Sequence, residues 1–164
     1  MRATNACVIA ADGGRARLFV VETGGSGQPG LSLVERESLV NPEYRAHGVD
    51  LPGRTRGERV SNRQAGDVHP VDARRDQHRL EIERRFAREI AQHAGALTQS
   101  WTTGSVVLVA DPRMLGLLRE PLRKALRLGI DLKELAKDYS HFTAPELRDH
   151  LALNHLMPAE ILNP

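Results

Sequence analysis

Hydrophobic positions along the chain change their spacing several times, and each change marks an element. Cys7 to Ala11 is a short apolar run, Leu18 to Val21 is a second, and Asp12-Gly13-Gly14-Arg15-Ala16-Arg17 lies between them. Asp-Gly favours a tight turn because glycine reaches positive φ without steric cost, so the segment reads as strand, turn, strand. Thr23 to Gly30 is rich in glycine, and Leu31 to Val40 has the alternation of a third strand, with a short helix as the alternative. Asn41-Pro42 ends it, and from Tyr44 to Val71 neither period is present. Asp72 then caps a helix expected over residues 73–94, where Ile82, Phe86 and Ile90 recur beside Ala87, Ala91 and Ala94; Gly95 is the expected stop. Glu81 is placed to pair with Arg85 one turn on. Val106-Val107-Leu108-Val109-Ala110 is continuous and largely β-branched, as in a strand covered on both faces, and is predicted to be central. Asp111 and Pro112 open a helix with Met114, Leu115 and Leu118 inward, which Pro121 breaks or restarts. Leu128 to Lys137 is predicted to be the last strand, and Thr143-Ala144-Pro145-Glu146 matches a capping box before a final helix ending near Leu153. The pattern predicts a single α/β domain over residues 1–153, a mixed sheet packed by helices, with a loosely held tail at 154–164.

Composition narrows the class. The chain has 164 residues, 40% apolar and 27% charged, enough for one domain that buries roughly 70% of its unfolded surface. Cys7 is the sole cysteine, which excludes an intrachain disulfide and suits a reducing compartment. The apolar run from Ala6 is broken by Asp12, too soon for a signal sequence or a membrane span, so the expected location is the cytoplasm. The net charge of +2 conceals an asymmetry, because residues 45–88 hold eleven arginines against seven acids. Five of these, Arg45, Arg54, Arg56, Arg59 and Arg63, fall in the aperiodic stretch from Tyr44 to Val71. Connections longer than about 12–15 residues are usually functional or disordered. A phosphate-binding face is one reading of the arginines, since their planar fork fits phosphate oxygens, and a solvated basic surface is the other. Aromatic residues make up only 4% of the chain, so a base-stacking platform lacks material and any RNA contact would rest on phosphate.

Candidate chemistry gathers at strand ends. Asp111-Pro112-Arg113 stands at the carboxyl end of the predicted central strand, where ligands sit in open α/β sheets, although the Asp also serves as a cap. Asp12, Arg15 and Arg17 form a second group, the two arginines alternating so that they project from one face. Asp12, Asp111 and Asp138 form a further possibility, a carboxylate cluster able to bind metal as in nucleases of the RNase H class, although each has a turn or cap explanation. The histidines show no ligand spacing, and Walker loop, zincin helix and nucleophile elbow are all missing. No catalytic residue, metal or cofactor is therefore expected.

Four segments in order are Ala11-Asp12-Gly13-Gly14-Arg15-Ala16-Arg17-Leu18-Phe19, Arg85-Phe86-Ala87, Leu108-Val109-Ala110-Asp111-Pro112-Arg113-Met114-Leu115-Gly116, and Lys137-Asp138-Tyr139-Ser140-His141 ahead of Ala144-Pro145-Glu146-Leu147. Together they resemble the bacterial host attachment proteins, described as required for attachment to host cells, over nearly the full chain. The resemblance marks Asp12, Arg15, Arg17, Asp111, Arg113, Lys137, Asp138 and His141 as a family-motif site. That family in turn resembles the middle domain of archaeal and eukaryotic-type peptide release factors, which implies an RNase H-like α/β architecture with a long loop entering a long helix. In release factors the loop carries Gly-Gly-Gln. The corresponding residues here, about 47–66, contain no such tripeptide, and Gln64 stands between Arg63 and Ala65. The implied function is a non-enzymatic binding protein that contacts RNA or the ribosome through Arg54, Arg56, Arg59 and Arg63, extended by Arg74, Arg75 and Arg79. The alternatives are a protein-interaction factor acting in attachment to host cells and, third, a metal-dependent phosphodiesterase or nuclease.

Overall fold

A run of consecutive apolar residues points side chains to both faces of a sheet, so both faces need cover. The computed structural model, which describes residues 5–24, 30–46 and 70–157, places Val106 to Ala110 in strand β4 (Gly104–Ala110), buried at each of those positions. Parallel neighbours flank it, β1 (Ala6–Ala11) on one side and β5 (Ile130–Ala136) on the other. Beyond β1, β2 (Arg15–Thr23) and β3 (Leu31–Val40) continue the sheet in antiparallel fashion, and the order is β3-β2-β1-β4-β5. The helices are α1 (Pro42–Ala46), α2 (Pro70–Leu97), α3 (Pro112–Ala125) and α4 (Ala144–Leu153). Alternation along the strands divides the core in two. Cys7, Ile9, Leu108 and Ala110 meet Phe86 and Ile90 of α2 and Met114 and Leu118 of α3. Val8, Ala10, Phe19 and Val109 meet Leu147 and Leu151 of α4. The result is the expected single-domain α/β fold with a mixed sheet packed by helices.

Several boundaries differ from the sequence pattern, each for a physical reason. Helix α2 begins at Pro70 and runs to Leu97, so Asp72 lies in its first turn, where it still favours the helix dipole, and Gly95 does not stop it. A Cβ at Gly95 would lie 3.2 Å from the Ala125 carbonyl oxygen; the glycine lets the end of α3 approach. Helix α3 passes through Pro121 without a break, because Leu118 and Leu122 on either side of it are fully buried and hold both halves to the sheet. Glu81 pairs with Arg84, and Arg85 pairs with Glu43 of α1, each at 3.8 Å. Leu31–Val40 is a strand, paired along its length with β2. The tail is not loose at its start, since Leu156 and Met157 pack against the second core. Arg54, Arg56, Arg59 and Arg63 lie outside the described residues. Among the described residues no helix is long and apolar enough to cross a membrane.

Candidate functional site

Three loops and two helices converge at the carboxyl ends of β1, β4 and β5. Asp12 follows β1 and closes the hairpin turn, its Oδ1 accepting from the backbone N–H groups of Gly14 at 2.7 Å and Arg15 at 2.8 Å. The two turn glycines leave room for Tyr44 of α1: a Cβ on Gly13 would lie 2.7 Å from its ring, and one on Gly14 2.9 Å. Asp111 follows β4 and caps α3, accepting from the N–H groups of Arg113 at 3.0 Å and Met114 at 3.1 Å. Asp138 follows β5 and accepts from the backbone of Ser140 at 3.3 Å. The buried Ser140 hydroxyl lies 2.7 Å from Asp138 Oδ1 and 2.8 Å from Asp12 Oδ2. One hydroxyl proton faces two carboxylates, so it satisfies one at a time.

His141 Nε2 stands 3.7 Å from Asp12 Oδ2, and its Nδ1 is 3.1 Å from Arg15 Nη1. Arginine only donates, so Nδ1 accepts and the neutral ring carries its proton on Nε2. Asp12, Asp138 and His141 each offer a ligand atom within 4.8 Å of one another. The spacing of the histidines gives no hint of this grouping, whereas Asp12 and Asp138 stand out in the sequence as carboxylates at strand ends; the fold adds His141 to them and leaves Asp111 out. Asp111 is not part of this trio, its Oδ1 being committed to the start of α3.

The opposite wall comes from the helices. Glu83 of α2 is 2% exposed. Arg79 Nε donates to its Oε1 at 3.2 Å, and Arg113 Nε of α3 lies 2.7 Å from its Oε2. That second contact is an ion pair off the line of a hydrogen bond, leaving Oε2 without an aligned donor. Burial works against the charge on Arg79, but Tyr44 and Glu83 outweigh it and raise its pKa, so the guanidinium stays protonated. The two walls enclose a cavity of about 320 Å³, lined by Asp12, Asp111, Asp138, His141, Arg79 and Arg113 among others.

Five of the eight family-motif residues thus share one cavity. Arg15 reaches its rim through His141. Arg17 shares a strand face with Arg15 but turns to structural work, pairing with Glu35 at 3.0 Å and donating to the Phe142 carbonyl. The Arg17 hydrogen bond holds the Glu35 carboxyl below the ordinary range against the opposing effect of partial burial. Lys137 is exposed and does not line the cavity. Arg74 and Arg75 are exposed on α2 and have no ion pair among the described residues. Sequence reasoning missed Glu83, Ser140 and Tyr44. A signal existed for Glu83, since Ala87 and Ala91 follow it at helical spacing, which places this acid on the buried stripe.

Fold and cavity define an open α/β domain with a charged cleft at the carboxyl ends of its parallel strands, the place where such sheets bind ligands. Over residues 7–151 the sequence matches the family described as protein required for attachment to host cells, and the chain belongs to that family. No curated protein matches the sequence. Among solved structures, the type II variant of the Aquifex aeolicus Ppx/GppA phosphatase is similar at a TM-score of 0.39 and 9% identity, over 80% of this chain and 36% of that one. A second structure of the Aquifex aeolicus PPX-GPPA enzyme gives a TM-score of 0.37 and 13% identity, with the same coverage of 80% and 36%.

Proposed function

We propose that this attachment-family protein is a binding protein for RNA, met on the ribosome, and that α2 supplies the phosphate contacts. The observation that carries the reading is the helix surface: Arg74, Arg75 and Arg88 are exposed without an ion pair among the described residues, and the partners of Arg84 and Arg85 stand 3.8 Å away. Such arginines are free to exchange water for phosphate oxygens. Helix α2 also connects the segment bearing Arg54, Arg56, Arg59 and Arg63 to the cavity, as the long loop of the release-factor middle domain enters its helix. A cytoplasmic location suits this partner, and an effect on attachment to host cells would then be indirect. Co-sedimentation with ribosomes tests the reading: binding is expected at low salt and loss of it at high salt, with the Arg74, Arg75 and Arg88 to Ala variant left in the supernatant. Absence of binding at every salt concentration would refute it.

A second reading, metal-dependent phosphodiester hydrolysis, is favoured by the convergence of Asp12, Asp138 and His141. These residues would hold a divalent cation through oxygen and imidazole ligands, with His141 in its other tautomer and Arg15 released. Hydrolysis of an RNA oligonucleotide that depends on Mn²⁺ and disappears in Asp138→Asn would establish it, and no turnover with either Mg²⁺ or Mn²⁺ would dismiss it.

A further inference from the structure

The cavity sets carboxylates on one wall and arginines on the other, and the arginines are held in an unusual way. Glu83, 2% exposed, sits between two guanidinium groups from different helices, with Arg79 Nε 3.2 Å from one oxygen and Arg113 Nε 2.7 Å from the other. Both closest contacts run through Nε, the inner edge of the fork. Among the described residues no hydrogen bond engages the Nη groups of Arg113, and Arg113 is 46% exposed although its partner is buried. A buried carboxylate is costly unless paired, so its retention on the stripe that otherwise carries Ala87 and Ala91 calls for a reason beyond packing. One carboxylate thus holds two guanidinium groups on the same cavity wall, Arg79 lying also against the Tyr44 ring, and paired guanidinium groups are suited to an oxyanion.

We propose that Arg79 and Arg113, aligned by Glu83, clamp the phosphate group of a phosphate ester in this cavity, and that a divalent cation between the phosphate and the Asp12, Asp138 and His141 wall accompanies it. The pairing accounts for both walls together. Phosphate alone would be repelled by the carboxylates, whereas a cation joins the two sides. Asp111 caps α3 through Oδ1 and also lines the cavity, so its charge adds to the need for a cation. Glu83 is a positioning residue; it faces the arginines and acts through them. The clamp rests on the phosphate-binding reading above and gives one phosphate of the ligand a defined seat.

The test is a ³¹P NMR titration of inorganic phosphate against the full chain, with and without Mg²⁺. Binding is expected with Mg²⁺ and much weaker binding without it. Arg113→Ala should lower phosphate affinity about tenfold, the effect of losing one charge-assisted pair. Arg123→Ala, an exposed residue on the same helix, should leave the affinity unchanged. Glu83→Gln, which keeps the volume, should weaken phosphate as Arg113→Ala does while leaving Mn²⁺ binding alone, followed by water relaxation, as in the parent; a merely structural role would lower both. Should Arg113→Ala unfold the chain, Arg113→Lys keeps the charge without the fork and is expected to bind phosphate more weakly than the parent. No phosphate binding in the parent under either condition, or equal affinity in the folded Arg113 variant, overturns the proposal. RNA binding that depends on Arg74, Arg75 and Arg88 but not on Arg113 would leave the helix reading intact and sink the clamp. Phosphate binding without any RNA binding would do the reverse.

Discussion

Gly129 and Gly116 show one amino acid meeting opposite needs. A Cβ at Gly129 would lie 1.9 Å from the Thr102 carbonyl oxygen, a backbone atom with nowhere to go, while at Gly116 nothing stands within 4 Å. Gly129→Ala should therefore cost about 3 kcal/mol in urea unfolding, at the upper end for forced overpacking. Gly116→Ala, in the interior of α3, should stabilise by about 1 kcal/mol. Neither difference is visible in sequence, because both depend on neighbours that only the fold supplies. Cys7 is fully buried and its thiol is pushed up to about 12 by desolvation, with the charge of Glu37 adding to it. A disulfide-exchange reagent at mildly alkaline pH should label it only once the protein unfolds. Glu35 provides a pH signature. Its carboxyl is depressed by the Arg17 hydrogen bond in the folded state, so the stabilisation is present at neutral pH and is lost as pH falls through the folded value, below the usual carboxylate range. Glu35→Gln should lose no more than about 1 kcal/mol at neutral pH, since the pair is partly exposed, and the difference from the parent should vanish in acid. Asp12 and Asp111 were legible as a turn and a cap because those bonds are local. The meeting of Asp12 with Ser140 and His141 was not, being set by the order of the strands.

At the scale of elements, local chemistry was a good guide wherever it was self-sufficient. The capping box before α4 is present in full, Thr143 Oγ1 accepting from the Glu146 N–H at 3.3 Å and Glu146 returning the bond at 3.0 Å. Thr143→Ala should cost about 1 kcal/mol, read as a shift in the urea midpoint without a change in slope. The three strands read from the sequence before α1 also stand. Tertiary contacts prevailed where a local rule met them. Pro121 failed to break α3 against the anchorage of Leu118 and Leu122, and Gly95 failed to stop α2 because α3 packs there. Glu83 reads from the sequence as one charge among many in a charged helix. The apolar stripe through Ala87 and Ala91 placed it inside, but the purpose of a buried acid depends on Arg113 of another helix.

For the molecule as a whole, the sheet order β3-β2-β1-β4-β5 decides where chemistry is possible. Parallel strands β1, β4 and β5 deliver Asp12, Asp111 and Asp138 to one end, and α2 brings Arg79 and Glu83 to the same place while its outer surface carries Arg74, Arg75 and Arg88. That geometry joins a charged cleft to a helix with exposed arginines in one domain. The most direct measurement is the affinity of the full chain for single-stranded RNA as a function of salt, compared with the variant in which Arg74, Arg75 and Arg88 are alanine. If each of these three cations neutralises one phosphate of the strand, removing them should reduce the log–log salt slope by about two. Equal slopes for the two proteins, or no RNA bound even at low salt, would contradict RNA recognition by α2.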